Sequence, residues 1–239
     1  MIIQIAGLTK RYANGRGIFD LNLEISRGEL FGFLGPNGAG KTTAMKIMTG
    51  MMRPDSGEVR ISGHSVQQEF ELAMAQVGCI VETAESYPFL TAEENLRQVA
   101  RYYPGVGQAR IDEVLALTGI SRYKKEKAGN FSLGMKQRLG IAAAILSRPE
   151  AVILDEPLNG LDIEGMVDMR SLFKKMAAED NTTFFISSHL VHDVELTCTR
   201  VGIIHEGRIT GVSSMEEILT RYDSLEQYFI SEVGALANV

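Results

Sequence analysis

GPNGAGKT, Gly35 to Thr42, is the stretch on which the fold turns, because Gly35 and Gly40 are separated by four residues and are followed by Lys41 and the hydroxyl residue Thr42. That is the spacing of a P-loop. Directly before it, LFGFL (Leu30 to Leu34) is almost continuously apolar, as expected of a strand covered on both faces. Directly after it, KTTAMKIMTG reads as a helix stopped by Gly50. In that strand-to-helix setting Gly35, Gly38 and Gly40 let consecutive backbone N–H groups turn towards phosphate oxygens, and the helix N-terminus adds partial positive charge. Pro36, Asn37, Ala39 and Thr43 complete the candidate nucleotide cradle, with Lys41 placed for β- and γ-phosphates and the Thr42 hydroxyl for Mg²⁺.

Such a cradle calls for an acid at the end of a second buried strand, and AVILDE (Ala151 to Glu156) supplies two. Successive side chains diverge at a strand end, so one acid faces the metal and the other does not. Asp155 is the expected magnesium acid, and Glu156 is left to orient and polarise an attacking water.

Outward from these two points the chain alternates strands and helices. DLNLEIS (Asp20 to Ser26) places Leu21, Leu23 and Ile25 on one face, which predicts a half-buried strand in an antiparallel layer. Further strands are expected at 58–62, 77–82, 151–155 and 182–187, and a hairpin around Glu206 and Gly207. Thr91 with Glu94 forms a capping box, as does Ser214 with Glu217. Consecutive helical patterns between 84 and 148 have no strand between them. The expected fold class is therefore α/β: a P-loop core (1–83 and 149–239) with a small antiparallel β layer and an inserted α-helical subdomain (84–148), together one domain over 1–239.

Bulk composition narrows the function classes. A net charge of −6 and the interruption of Lys124, Lys125 and Lys127 by Glu126 leave no basic stripe for nucleic acid. Two cysteines, Cys79 and Cys198, without zinc spacing read as a reducing compartment. No apolar run reaches the length of a membrane span, so direct membrane insertion is not expected. His189 and His192 lie three apart without a third ligand, which reads against zinc, and His64, His192 and His205 carry no expected catalytic role.

FSLGMKQRLG, Phe131 to Gly140, resembles the LSGGQ signature and following KQR of the ATP-hydrolysing subunits of ABC transporters, departing at Leu133 and Met135, where Gly and Gln are usual. The resemblance runs over essentially the whole chain. It implies that Ser132 and Gly134, at a helix start, contact the γ-phosphate of ATP held by a second copy in a head-to-tail dimer. It further identifies PLNGLD (Pro157 to Asp162) with the D-loop along the dimer seam, with Leu158 in place of Thr. By the same resemblance Tyr12 stacks on adenine, and His189 in ISSHL is the switch histidine that contacts the γ-phosphate.

In this family the residue ending the third core strand is usually a Gln that touches Mg²⁺ and the attacking water; here it is Glu82. The resemblance thus makes Glu82 both a metal and a catalytic candidate. A carboxylate beside a triphosphate costs about 4 kcal/mol per like-charge pair at about 4 Å and an effective dielectric of about 20. Such an acid must face the metal, take up a proton or swing away. Glu82 together with SLGMKQRLG most resembles the ATPases of bacitracin and lantibiotic export and self-protection. The implied partner is an integral membrane permease, docked where the segment after Glu82 meets the helical subdomain. The implied location is cytoplasmic, peripheral on the membrane's cytoplasmic face through that permease. An ATPase of another export or import system, or a soluble non-transport ABC ATPase, is the alternative. A small-molecule kinase or GTPase would leave SLGMKQR and His189 unexplained.

Overall fold

Alternating apolar residues open the chain as a ribbon. In the computed structural model, which describes residues 1–234, β1 (Ile3–Arg11) pairs antiparallel with β2 (Gly17–Ile25), setting Ile3 opposite Ile25 and Ile5 opposite Leu23. Residues 235–239 of the expected 1–239 domain lie outside the described residues. β3 (Leu30–Leu34) is buried at every position and belongs to a second sheet. It runs through the glycine-rich turn into α1 (Lys41–Met48), after which β4 (Ser56–Ile61) and β5 (His64–Ser65) return to the first sheet in the order β2-β1-β4-β5. A short α2 (Phe70–Met74) leads to β6 (Val77–Ile80). That strand is shorter than the expected 77–82: its pairing with β7 stops at Ile80, and Glu82 takes a left-handed φ of +70°, outside the extended region.

Between β6 and the next core strand come α3 (Ala92–Ala100), α4 (Gln108–Leu117), two 3₁₀ turns and α5 (Leu133–Ala144). The Thr91 hydroxyl accepts from the Glu94 N–H at 3.2 Å and the Glu94 carboxylate accepts from the Thr91 N–H at 2.8 Å, the reciprocal cap expected of this spacing. The core then resumes with β7 (Ala151–Asp155), α6 (Ile163–Asp180), β8 (Thr183–Ser188), α7 (Val191–Thr197), the hairpin β9 (Arg200–His205) and β10 (Arg208–Ser214), and closes with α8 (Met215–Arg221) and α9 (Leu225–Gly234). The second sheet has the order β10-β9-β3-β8-β7-β6, parallel except for the β9–β10 pair.

Apolar side chains of α1, Met45, Ile47 and Met48, sit between the two sheets with Ile5, Ile18, Phe33 and Phe185, all buried. Burial of each such side chain contributes about 1.5–3 kcal/mol, so α1, and with it the P-loop, is clamped from both sides. The opposite face of the second sheet is covered by α5 and α6, where Phe173 packs on Phe184 with ring centroids 5.1 Å apart. α5 approaches β6 so closely that a Cβ on Gly78 would fall 1.8 Å from the carbonyl oxygen of Ala144. No helix among the described residues is long and apolar enough to cross a membrane.

Candidate nucleotide and metal site

The candidate residues meet because four neighbouring parallel strands, β3, β8, β7 and β6, end on the same side of the sheet. The carboxyl edge of such a sheet is where open α/β proteins bind ligands. The P-loop follows β3, Asp155 ends β7, His189 follows β8 and Glu82 follows β6. A cavity of about 580 Å³ there is walled by Tyr12, Gly38, Gly40, Lys41, Thr42, Thr43, Glu82, Asp155 and Glu156, and also by Asn14, Arg16 and Asn159, which sequence reasoning did not single out.

Gly40 adopts φ +111° and contributes no side-chain cap, so the first N–H groups of α1 stay open towards the cavity. The neighbourhood excludes a side chain at this position, since a Cβ would stand 2.6 Å from Cγ2 of Ile18. Lys41 folds back over the loop, its Nζ donating to the carbonyl oxygens of Gly35 at 2.6 Å and Pro36 at 3.3 Å. Burial holds its pKa below the ordinary lysine value, partly opposed by the nearby carboxylates of Glu156 and Asp155. Its ammonium lies 3.8 Å from Glu156.

The two acids face different partners. Thr42 Oγ1 donates to Asp155 Oδ2 at 2.9 Å, bringing together the hydroxyl and carboxylate oxygens that a hard divalent cation takes. That donor set fits Mg²⁺. Glu156 instead turns to His189, whose Nδ1 is 2.8 Å from Glu156 Oε1. Glu156 sits at φ +49°, a conformation that costs of order 1 kcal/mol for a non-glycine residue. Ser187, at the end of β8 and in register with Asp155, supports both acids: its hydroxyl donates to Asp155 Oδ1 and accepts from the Glu156 N–H at 3.1 Å. No short-range motif marks Ser187; only the strand order β8-β7 brings it there.

Tyr12 stands at the mouth of the cavity, partly exposed, with its hydroxyl 3.2 Å from Thr43 Oγ1. Glu82 reaches the cavity wall, but its carboxylate pairs with Lys46 Nζ at 2.7 Å, while its backbone N–H is 3.4 Å from Asp155 Oδ2. The expected choice between facing the metal and swinging away is thus drawn towards Lys46. Lys46 was also missed, although its place four residues after Thr42 on a helix puts both on one face.

Ser132 and Gly134 do not join this cavity. They line a separate one of about 460 Å³ with Gly160 and Leu161, and Ser132 caps α5 by accepting from the Met135 N–H at 3.2 Å. Phosphate chemistry by these two groups needs a nucleotide from elsewhere.

With this geometry in place, similarities to known proteins become specific. A profile of the family described as ABC transporter matches residues 18–159. The uncharacterized ABC transporter ATP-binding protein YhcH of Bacillus subtilis is 40% identical over 95% of this chain and 74% of its own length. The bacitracin transport ATP-binding protein BcrA of Enterococcus faecalis is 38% identical, covering 100% of this chain and 77% of that one. The lantibiotic transport ATP-binding protein SrtF of Streptococcus pyogenes is 34% identical over 97% of both. Among solved structures, an ATP-binding subunit of an ABC transporter superposes with a TM-score of 0.87 at 28% identity, over 97% of this chain and 99% of that one. The dimeric structure of MJ0796, a bacterial ABC transporter cassette, gives 0.81 at 25% identity, over 90% and 99%.

Proposed function

The chain belongs to the ABC transporter family, as one of its ATPases, and from that premise we propose that it drives export of a peptide antibiotic or drug through a separate membrane permease. The observation that carries the catalytic reading is the convergence of Lys41, Thr42, Asp155 and Glu156 on one cavity at the carboxyl edge of the sheet, with His189 hydrogen-bonded to Glu156 beside it. The P-loop and the open N-terminus of α1 hold the triphosphate, with Tyr12 under the adenine. Thr42 and Asp155 hold Mg²⁺, which when bound neutralises charge on the phosphate oxygens. Glu156 takes a proton from the attacking water, whose oxygen bonds to the γ-phosphorus as the bond to the β–γ bridging oxygen breaks and ADP leaves. His189, hydrogen-bonded to Glu156, keeps that carboxylate aimed and lies beside the γ-phosphate.

Supporting a head-to-tail pair is the separation of Ser132 and Gly134 from the chain's own P-loop cavity, which leaves each copy to complete the other. The family's solved dimeric cassette is consistent with that assembly. The permease docks where the segment after Glu82 meets α3 and α5, and through it the chain sits on the cytoplasmic face of the membrane. Antibiotic-type cargo is supported by the names of BcrA and SrtF.

Glu156→Gln tests the catalytic reading. Purified variant should retain ATP binding, lose turnover by about a hundredfold or more, and elute as a dimer with ATP. Unchanged turnover would remove Glu156 from the reaction. Cells expressing the parent chain with its permease should tolerate more bacitracin or lantibiotic than cells expressing the variant. Equal tolerance with an active ATPase would reassign the cargo.

A further inference from the structure

An acid at position 82 raises a problem that the geometry answers. Glu82 ends the approach from β6 to the helical insertion, and its backbone N–H points at Asp155, the same carboxylate that accepts from Thr42. A carboxylate at this place is within reach of the oxygens that hold the metal and of the phosphate cradle, since it lines the same cavity. Repulsion between it and a triphosphate would weaken nucleotide binding unless a cation answers it. Lys46 provides that cation. It lies on α1, one turn beyond Thr42, with its side chain a quarter exposed, and its Nζ is 2.7 Å from Glu82 Oε1. α1 is held between two sheets, so the ammonium is presented from a fixed backbone, whereas the loop it grips is exposed and left-handed at Glu82.

We propose that Lys46 is the counter-cation of Glu82: it draws the carboxylate to the flank of α1, away from Asp155 and Thr42, so that an acid can end β6 beside a bound triphosphate. Lys46 is on this view a positioning residue, acting through Glu82 and not on the nucleotide. The pair also ties the P-loop helix to the first residues of the segment leading to α3, so the loop at 82–90 is anchored by a side chain as well as by its backbone. The inference rests on the nucleotide reading of the cavity.

The test compares the full chain with Lys46→Met, Glu82→Gln, the double variant and Lys46→Arg, titrated calorimetrically with the slowly hydrolysed analogue ATPγS and Mg²⁺. With Glu82 present, Lys46→Met should weaken binding about tenfold, and in the Glu82→Gln background the same change should cost less than about twofold. Lys46→Arg should recover most of the affinity, and added salt should shrink the tenfold loss. Without nucleotide, hydrogen exchange across 82–90 should quicken in Lys46→Met and gain nothing further from it in the Glu82→Gln background. Equal losses in both backgrounds would show Lys46 acting on the nucleotide itself, and no loss in either would show Glu82 needing no cation; each result overturns the proposal. A parent chain that bound no nucleotide would overturn the phosphate reading, and this proposal with it. Normal parental binding with additive variants overturns the pairing alone.

Discussion

At the residue scale the site depends on a side chain that carries no charge. Ser187 supports both acids at once, donating to the Asp155 carboxylate and accepting from the Glu156 backbone N–H. Removing its hydroxyl leaves Asp155 short of a donor and leaves the Glu156 N–H with only the Ser187 carbonyl oxygen, 3.2 Å away. Ser187→Ala should therefore lower turnover about tenfold and raise the Mg²⁺ concentration needed for half-maximal rate, as loss of supporting hydrogen bonds around metal ligands commonly does. A magnesium titration of the rate checks this; an unshifted midpoint would show that Asp155 holds its place unaided. Lys41, Thr42, Asp155 and Glu156 were legible in the sequence because their chemistry fixes their spacing or their place at a strand end. Ser187 was not, because its role follows from which strand lies beside β7, and strand order is set by the packing of the whole sheet. Lys46 was half legible: its helical phase relative to Thr42 could be counted, but the left-handed turn that brings Glu82 to it could not.

At the element scale, alternation and caps were the reliable signals, and short or irregular elements were not. The boxes at Thr91 and Ser214, the strand at 151–155 and the hairpin around Gly207 stand where spacing put them. β1 escaped because Ala6 and Gly7 break its alternation with a bulge, and α2 is too short to show a period. α3 carries a feature that neither cap nor period announces. Glu93 is buried on its inner side and paired with Lys125 at 3.1 Å and with Arg97. The Lys125 hydrogen bond, reinforced by the charge of Arg97, holds its carboxyl below the ordinary range. A carboxylate depressed in the folded state adds stability that is complete above its unfolded pKa and is lost as pH falls through the folded one. Glu93→Gln should thus lower the melting temperature at neutral pH by roughly 2–4 °C. As pH falls below the ordinary carboxylate range the difference from the parent should close. Thermal melts across that range decide it; a gap that stayed constant into acid would mean Glu93 contributes by packing alone.

At the scale of the whole molecule, the proposed pairing of two copies rests on two separate cavities of one chain. The P-loop cavity lacks Ser132 and Gly134, and the cavity that has them lacks a P-loop. Ser132→Arg should block one half of each composite site and Lys41→Ala the other, so each variant alone should be nearly inactive. Mixed in equal amounts, they should regain a measurable fraction of turnover, because some pairs contain one intact composite site. A mixture as dead as its components would argue against exchange of residues between copies. The run of helices between β6 and β7 was legible as a break in the strand–helix rhythm, but its seat on the sheet was not. Gly78 against Ala144 is part of that seat, at the end of α5 away from Ser132. From Ala144 to Leu133 the helix is a rod about 16 Å long, with Ser132 at its tip. The placing of Ser132 is therefore set partly at a glycine one helix length away: a side chain at Gly78 would lift α5 and be felt in the far cavity as well as in the core.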